Sequence, residues 1–256
     1  MQLKRRDFLR AGFGAATLGG PRVVWGGAVR KASDVVQLGP DKVRLARMAI
    51  GTGTKGGSIQ RQLGVQGVAD MLRFGYDQGL FWWDTADGYR THPHVREALK
   101  GVPREKVAIL TKTRARDAER MRADLDRFRQ ELGTDYLDIV LLHAVMTPTW
   151  EEERKGAMEV LAEAREKGVV RTYGVSCHSL EALQAAAKSP WLRVALVRIN
   201  PAGMLMDAGP DIVVPVMRQM KAAGKGVMGM KILGEGGLRD RVDECLRYAL
   251  SLDCLD

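Results

Sequence analysis

An α/β fold built as a parallel barrel is what this chain predicts, and three observations predict it. Short runs rich in Val, Ile and Leu alternate with amphipathic stretches whose apolar residues recur at helical spacing, the pattern of helices covering a parallel sheet. Seven such runs follow one another with centres 24–35 residues apart and no break in composition, close to the roughly thirty-residue βα unit of an eight-fold barrel. The chain has 256 residues, 45% of them hydrophobic, which is enough for one large core. An eighth run falls due where the sequence stops. The expected architecture is therefore a (β/α)8 TIM barrel lacking its eighth βα unit, over residues 32–256.

The expected strands are Arg44–Ile50, Leu80–Trp83, Val107–Leu110, Leu137–Leu142, Val169–Val175, Val194–Ile199 and Val227–Lys231. Between them, sets such as Val68, Met71, Leu72 and Met158, Leu161, Ala162 keep helical spacing. Thr149 with Glu152 three residues on has capping-box spacing, and Gly79, Gly101, Gly133, Gly168 and Gly224 stand where helices should end. Gly51-Thr-Gly-Thr-Lys-Gly56 fits G-x-G-x-x-G after the first strand. A second polar, glycine-containing segment, Gly57 to Gly64, separates it from the helical pattern that starts near Val65. A dinucleotide fingerprint needs the helix to open at the glycines, so a loop at the strand's end is the better reading.

Net charge is +9, but residues 1–31 hold seven Lys/Arg against one acid, which leaves only +3 on the other 225 residues. Nucleic-acid binding needs its positive charge clustered on the folded body, so that class is excluded. No apolar run reaches the ~18 residues of a membrane span. Cys177, Cys245 and Cys254 are too few for a disulfide scaffold or a four-ligand zinc site. Lys4-Arg-Arg-Asp-Phe-Leu-Arg10, followed by the Gly/Ala-rich stretch Ala11 to Gly20, resembles the twin-arginine export consensus, with cleavage expected after Ala28. Residues 1–31 are accordingly expected to be an export leader, engaging export machinery and taking the protein to the periplasm or beyond; a basic tail on a cytoplasmic protein is the competing reading. The twin-arginine route carries folded proteins, so a cofactor can be loaded first.

Three ionisable residues close consecutive strands: Asp84 after Phe81-Trp-Trp83, Lys112 after Ile109-Leu-Thr111, and His143 after Val140-Leu-Leu142. In a parallel barrel these ends converge on the face that carries active sites. Each follows an apolar run and should be poorly solvated and coupled to its neighbours. Tyr89 follows Asp84 by five residues on the loop leaving the same strand.

Asp84-Thr-Ala-Asp-Gly-Tyr89, Leu110-Thr-Lys-Thr113 and Leu132-Gly-Thr-Asp-Tyr-Leu-Asp-Ile-Val-Leu-Leu-His143, in this order, resemble the aldo-keto reductases, and the similarity runs from about residue 44 to the end. The resemblance implies reduction of aldehydes or ketones to alcohols. Such a reaction delivers a hydride to carbon and a proton to oxygen. A tyrosine, pKa about 10, donates well only if its anion is stabilised. On this reading Tyr89 is the general acid, Lys112 and Asp84 tune it, and His143 orients the carbonyl. The resemblance also implies a nicotinamide cofactor, NADPH (NADP) with NAD as the alternative, held by Gly51, Thr52, Asp84, Ser176, Asn200, Met230, Lys231, Leu233 and Gly234. Ser176 and Asn200 are the expected carboxamide partners.

The chain departs from the pattern in places. Arg90 follows Tyr89 where the family usually has Gly, and Cys177 stands where Asn is frequent. Without the segment after strand eight, the adenosine end loses its grip and two sheet edges are left open to self-association. A truncated, non-catalytic binding or regulatory relative is therefore the second hypothesis. His92 and His94 have no acidic or thiol partner in sequence, so no metal is expected. No tyrosine has Lys four residues later, as short-chain dehydrogenases require, and Ser176 sits in Gly-Val-Ser-Cys-His rather than G-x-S-x-G.

Overall fold

The computed structural model describes residues 30–256. It opens with a β-hairpin, β1 (Val35–Leu38) against β2 (Val43–Ala46), followed by seven parallel strands in chain order: β3 (Ala49–Gly51), β4 (Trp82–Asp84), β5 (Ala108–Thr113), β6 (Leu137–Val145), β7 (Val170–Cys177), β8 (Val194–Arg198) and β9 (Gly226–Met230). The covering helices are α1 (Ser58–Gln62), α2 (Gly64–Asp77), α3 (His92–Leu99), α4 (Ala118–Leu132), α5 (Trp150–Glu153), α6 (Lys155–Glu166), α7 (Leu180–Lys188), α8 (Pro210–Ala222) and α9 (Val242–Ser251). Among the described residues this is a curled parallel sheet of seven strands, a TIM barrel short of one unit, whose edges β3 and β9 do not pair with each other. Asp256 runs along the β9 edge, its N–H donating to the Val227 carbonyl at 3.0 Å while its carboxylate accepts from the Val227 N–H at 2.8 Å.

One expected strand proves to be two. Arg44–Ile50 breaks at Arg47-Met48, whose N–H groups turn back to the Asp34 and Ala32 carbonyls, so β2 belongs to the hairpin and only β3 to the barrel. The hairpin plugs the barrel floor: Leu38, Val43, Leu45 and Ala46 pack against the inward side chains Trp82, Ala108, Leu110, Ile139, Leu141, Val194, Leu196 and Met228. Asp41, in the hairpin turn, is bonded by Arg165, Arg193 and Thr172. Burial alone raises the pKa of Asp41, and these donors outweigh it, so the group is held below the ordinary carboxylate range. Outward faces of the strands join the helices in the larger apolar cluster around Trp83, Phe128, Val140 and Leu161.

Helix ends follow the glycines in part. Gly79, Gly133, Gly168 and Gly224 take left-handed φ of +68° to +84°, whereas Gly101 does not. At α5 the capping-box spacing is not used: Thr149 Oγ1 donates to Glu153 at 3.0 Å and caps no backbone N–H. The proposed leader lies outside the described residues, apart from Arg30 and Lys31. Among the described residues no helix is long and apolar enough to cross a membrane.

Candidate active site

The four expected residues meet at the C-terminal mouth of the barrel. Lys112 is the inward residue of β5 one step above Leu110, 1% exposed, and its ammonium donates to both oxygens of Asp84 (2.7 and 2.8 Å) and to the Thr85 carbonyl (2.9 Å). All three N–H donors are thereby spent. Burial pushes the Asp84 carboxyl up and the Lys112 ammonium down, and their mutual attraction opposes both shifts. The ammonium lies 5.0 Å from the centroid of the Tyr89 ring, over its face. His143 approaches the same ring edge-on, at 5.6 Å between centroids, with His178 behind it at 6.1 Å.

Burial dominates the electrostatics here. The Tyr89 phenol is raised above its usual value, by burial first and then by Asp84 and Glu235, with Arg114 opposing. Lys112 faces the ring and bonds to Asp84, so it does not reach the hydroxyl. His143 is held down to about 2, by burial first and then by Lys112, His178, Arg114 and Arg154. It is a neutral imidazole across the working pH range, with Nδ1 buried and unpartnered. His178 is likewise lowered, to about 4, chiefly by burial.

The Tyr89 loop is a short 3-10 turn, Asp87–Tyr89, held from several sides. Arg127 on α4 donates to Asp87 at 2.8 Å, and Arg61 on α1 donates to the Tyr89 carbonyl at 2.6 Å. A Cβ at Gly53 would lie 2.4 Å from the Tyr89 ring, and one at Gly57 2.6 Å from the Tyr89 carbonyl. The glycine-rich loop after β3 therefore packs directly on the tyrosine, and its next helix begins only at Ser58. Arg90 has φ +57°, the left-handed region that glycine tolerates best, so the loop keeps that backbone with an arginine in it. Sequence spacing did not signal Gly53, Arg61 or Arg127, because each acts across 28–40 residues.

The expected cofactor residues divide into two groups. Thr52 is fully buried, its N–H and hydroxyl both donating to the Asp84 carbonyl (2.9 and 3.0 Å), and a hydroxyl chain continues through Thr91 to Thr85. The Asn200 carboxamide is engaged on both sides: its N–H groups donate to Met204 and Lys231 carbonyls, and its oxygen accepts from Ala202 and Met204 N–H. Ser176 accepts from the Ala144 N–H at 2.9 Å, at a bulge in β6 where Ala144 takes φ +53°. Bulges re-aim neighbouring side chains, and this one follows directly on His143. Gly51 has open space over it, Met230 and Leu233 are half-buried, Lys231 pairs with Glu235 at 2.8 Å, and Gly234 is buried.

Of the residues expected at a nicotinamide's ring end, Gly51 is exposed at the mouth and Ser176 lies buried behind it. Gly51 offers bare backbone facing open space, and the Ser176 hydroxyl keeps a hydrogen with no acceptor among the described residues. Asn200 fits less well, because its loop already uses both ends of the carboxamide. His92 bridges Glu131 (2.6 Å) and Thr111 (2.8 Å) as a buried strut, and among the described residues no three His, Cys, Asp or Glu are grouped to hold a metal. Cys177 is buried and its thiol is pushed well above the usual range by burial.

A parallel barrel with a Tyr, Lys, Asp and His at its mouth defines a class, and comparison with known proteins agrees. Residues 47–249 match the Aldo/keto reductase family, and the chain belongs to it. It is 27% identical over 220 residues to an aldo-keto reductase of Glycine max (78% of this chain, 60% of that one). It is 26% identical over 170 residues to the NADH-specific methylglyoxal reductase of Escherichia coli (55% and 51%). The crystal structure of an aldo-keto reductase from Klebsiella pneumoniae in complex with NADPH superposes with a TM-score of 0.61 at 26% identity, over 80% of this chain and 70% of that one. The chain thus spans between half and two thirds of the length of these two curated relatives.

Proposed function

We propose that this protein reduces aldehydes or ketones to alcohols with a nicotinamide cofactor, NADPH or NADH. The reading rests on one arrangement above all: a buried Asp84–Lys112 pair under the face of Tyr89, with a neutral His143 at the ring's edge. A nicotinamide held at the mouth over Gly51 would supply the hydride. The proton must come from the chain. Lys112 has committed its N–H groups to Asp84 and Thr85, and His143 is uncharged, so neither is the donor. The Tyr89 hydroxyl makes no hydrogen bond among the described residues and remains to give its proton to the carbonyl oxygen. Tyrosinate formed in that step is stabilised by the ammonium over its ring, which Asp84 keeps charged and in place. His143 orients the carbonyl as a neutral hydrogen-bonding partner.

The test is Tyr89→Phe in the full chain, assayed with 4-nitrobenzaldehyde and either NADPH or NADH, alongside quenching of tryptophan emission by the cofactor. Turnover should vanish while cofactor binding persists. Full turnover by the mutant overturns Tyr89 as the acid, and absence of turnover and cofactor binding in the folded wild type overturns the activity. On its basic, Phe-Leu-containing motif, residues 1–31 are proposed to act as a twin-arginine-type export leader.

A further inference from the structure

We infer that the carbonyl compound taken by this site carries an oxyanion, a carboxylate or phosphate group, and that Arg114 binds it. The inference rests on the carbonyl-reduction reading above. Its basis is the side-chain alternation of β5. Leu110 and Lys112 point into the barrel, and Arg114, the first residue past the end of β5, comes next in that alternation and acts electrostatically on both Tyr89 and His143. The β5–β6 register pairs Thr113 with Leu142, which sets Arg114 beside His143, the next inward residue of β6 after Leu141. Arg114 is exposed, and among the described residues no carboxylate lies within 4 Å of it.

A second cation touches the His143 backbone. Arg154 follows α5 and is 6% exposed. It donates to the His143 carbonyl at 3.3 Å, while its Nε and Nη1 are buried without partners. The adjacent Glu153 carboxylate is taken by Thr147 and Thr149, with Arg116 at 3.9 Å. Glu153 acts on this guanidinium as a partial counter-charge, and an anion bound in the neighbouring mouth would offset more of its burial cost. Every acid at the mouth is matched: Asp84 by Lys112, Glu235 by Lys231, Asp207 by Arg198. Arg114 and Arg154, neither in an ion pair within 4 Å among the described residues, therefore leave positive charge next to the carbonyl-orienting histidine. Their field favours a substrate whose oxyanion sits a few bonds from its carbonyl, and Arg114 presents the planar fork that carboxylates and phosphates share.

The experiment compares kcat/KM for succinic semialdehyde against butanal, and for glyceraldehyde 3-phosphate against glyceraldehyde, in wild type, Arg114→Gln and Arg114→Lys. Calorimetric titration of glutarate and of glutaramide into the same proteins gives a readout that needs no turnover. One anionic aldehyde should be preferred over its neutral analogue by about 10- to 100-fold, the pair showing the preference identifying carboxylate or phosphate. Arg114→Gln should lose that preference at an unchanged melting temperature and Arg114→Lys should restore part of it, with the preference shrinking at high salt. Equal use of charged and neutral aldehydes, or a preference that survives in Arg114→Gln, overturns the inference. If no aldehyde is reduced, the activity reading fails, and the titration alone decides: glutarate binding lost in Arg114→Gln upholds an anion site, and no glutarate binding refutes it.

Discussion

Gly53→Ala isolates the contact between the glycine-rich loop and the proposed acid. The backbone at Gly53 is not in the left-handed region, so alanine fits the chain there without strain. Its methyl group, however, would meet Tyr89 Cε2 at 2.4 Å, Cζ at 2.6 Å and Cδ2 at 3.0 Å, where ordinary contact begins near 3.4 Å. The ring edge must retreat by about 1 Å. It is hemmed in by the His143 ring and by the Lys112 ammonium, so retreat changes where the hydroxyl sits. A displacement of about 1 Å at a reacting group can cost on the order of 100-fold, or about 2.7 kcal/mol of barrier.

The assay is steady-state kcat and KM with 4-nitrobenzaldehyde and saturating cofactor, set beside a thermal melt. Gly53→Ala should lower kcat/KM about 100-fold, with most of the loss in kcat, and shift the melting temperature by less than about 2 °C. Gly88→Ala is the matched control: it adjoins Tyr89, lacks a left-handed φ, and has nothing within 4 Å of the added methyl. It should stay within about twofold of wild type. If the two variants are equally active, the loop does not position the tyrosine, and the steric reasoning is wrong.

The remaining predictions follow from charge and backbone geometry. Because the Tyr89 phenol is raised and acts in its protonated form, while His143 at about 2 stays neutral, kcat/KM for reduction should be flat from about pH 5 to 9. Alcohol oxidation, which needs tyrosinate, should instead climb with pH, and a basic limb near neutrality in the reduction profile refutes this assignment. Ser176→Ala leaves the Ala144 N–H without its acceptor and should cost about 1 kcal/mol of stability, read by chemical denaturation, together with a fall in kcat as the bulge behind His143 relaxes. Arg90→Gly removes a left-handed side chain and should add about 1 kcal/mol with activity retained. Replacing Arg5 and Arg6 by Lys in a fusion of residues 1–31 to a folded reporter should abolish its export, and undiminished export counts against the leader.

How far the sequence could be read depended on the range of each interaction. Asp84, Lys112 and His143 could be placed together because parallel strands send all their C-terminal ends to one face, so locating an ionisable residue at a strand end locates it at the site. The hairpin was hidden because Arg44–Ile50 is an unbroken β-type run, and the turn at Arg47-Met48 contains no Gly or Pro to mark it. What breaks that run is hydrogen bonding back to Asp34 and Ala32, outside the segment. The Asp41 clamp, joining a turn to arginines 124 and 152 residues away, leaves no local signal either.

The roles of the site residues were harder to read than their positions. Lys112 reads as the cation that makes Tyr89 a better acid, yet its three donors close on Asp84 and Thr85, and the phenol is raised by its burial. On the proposed mechanism the ammonium acts through the ring face, as a charge that favours the tyrosinate once formed, rather than by a hydrogen bond that pre-ionises it. Asn200 shows the same division: its place at the end of β8 is legible, but its carboxamide ties down the loop through Met204. Arg90 shows the converse. An arginine there takes the left-handed backbone that glycine tolerates best, because Arg61, Arg127 and the Gly53–Gly57 loop fix the turn from outside it. The geometry at Tyr89 is thus set by tertiary contacts that override local preference, as a site assembled across strands requires.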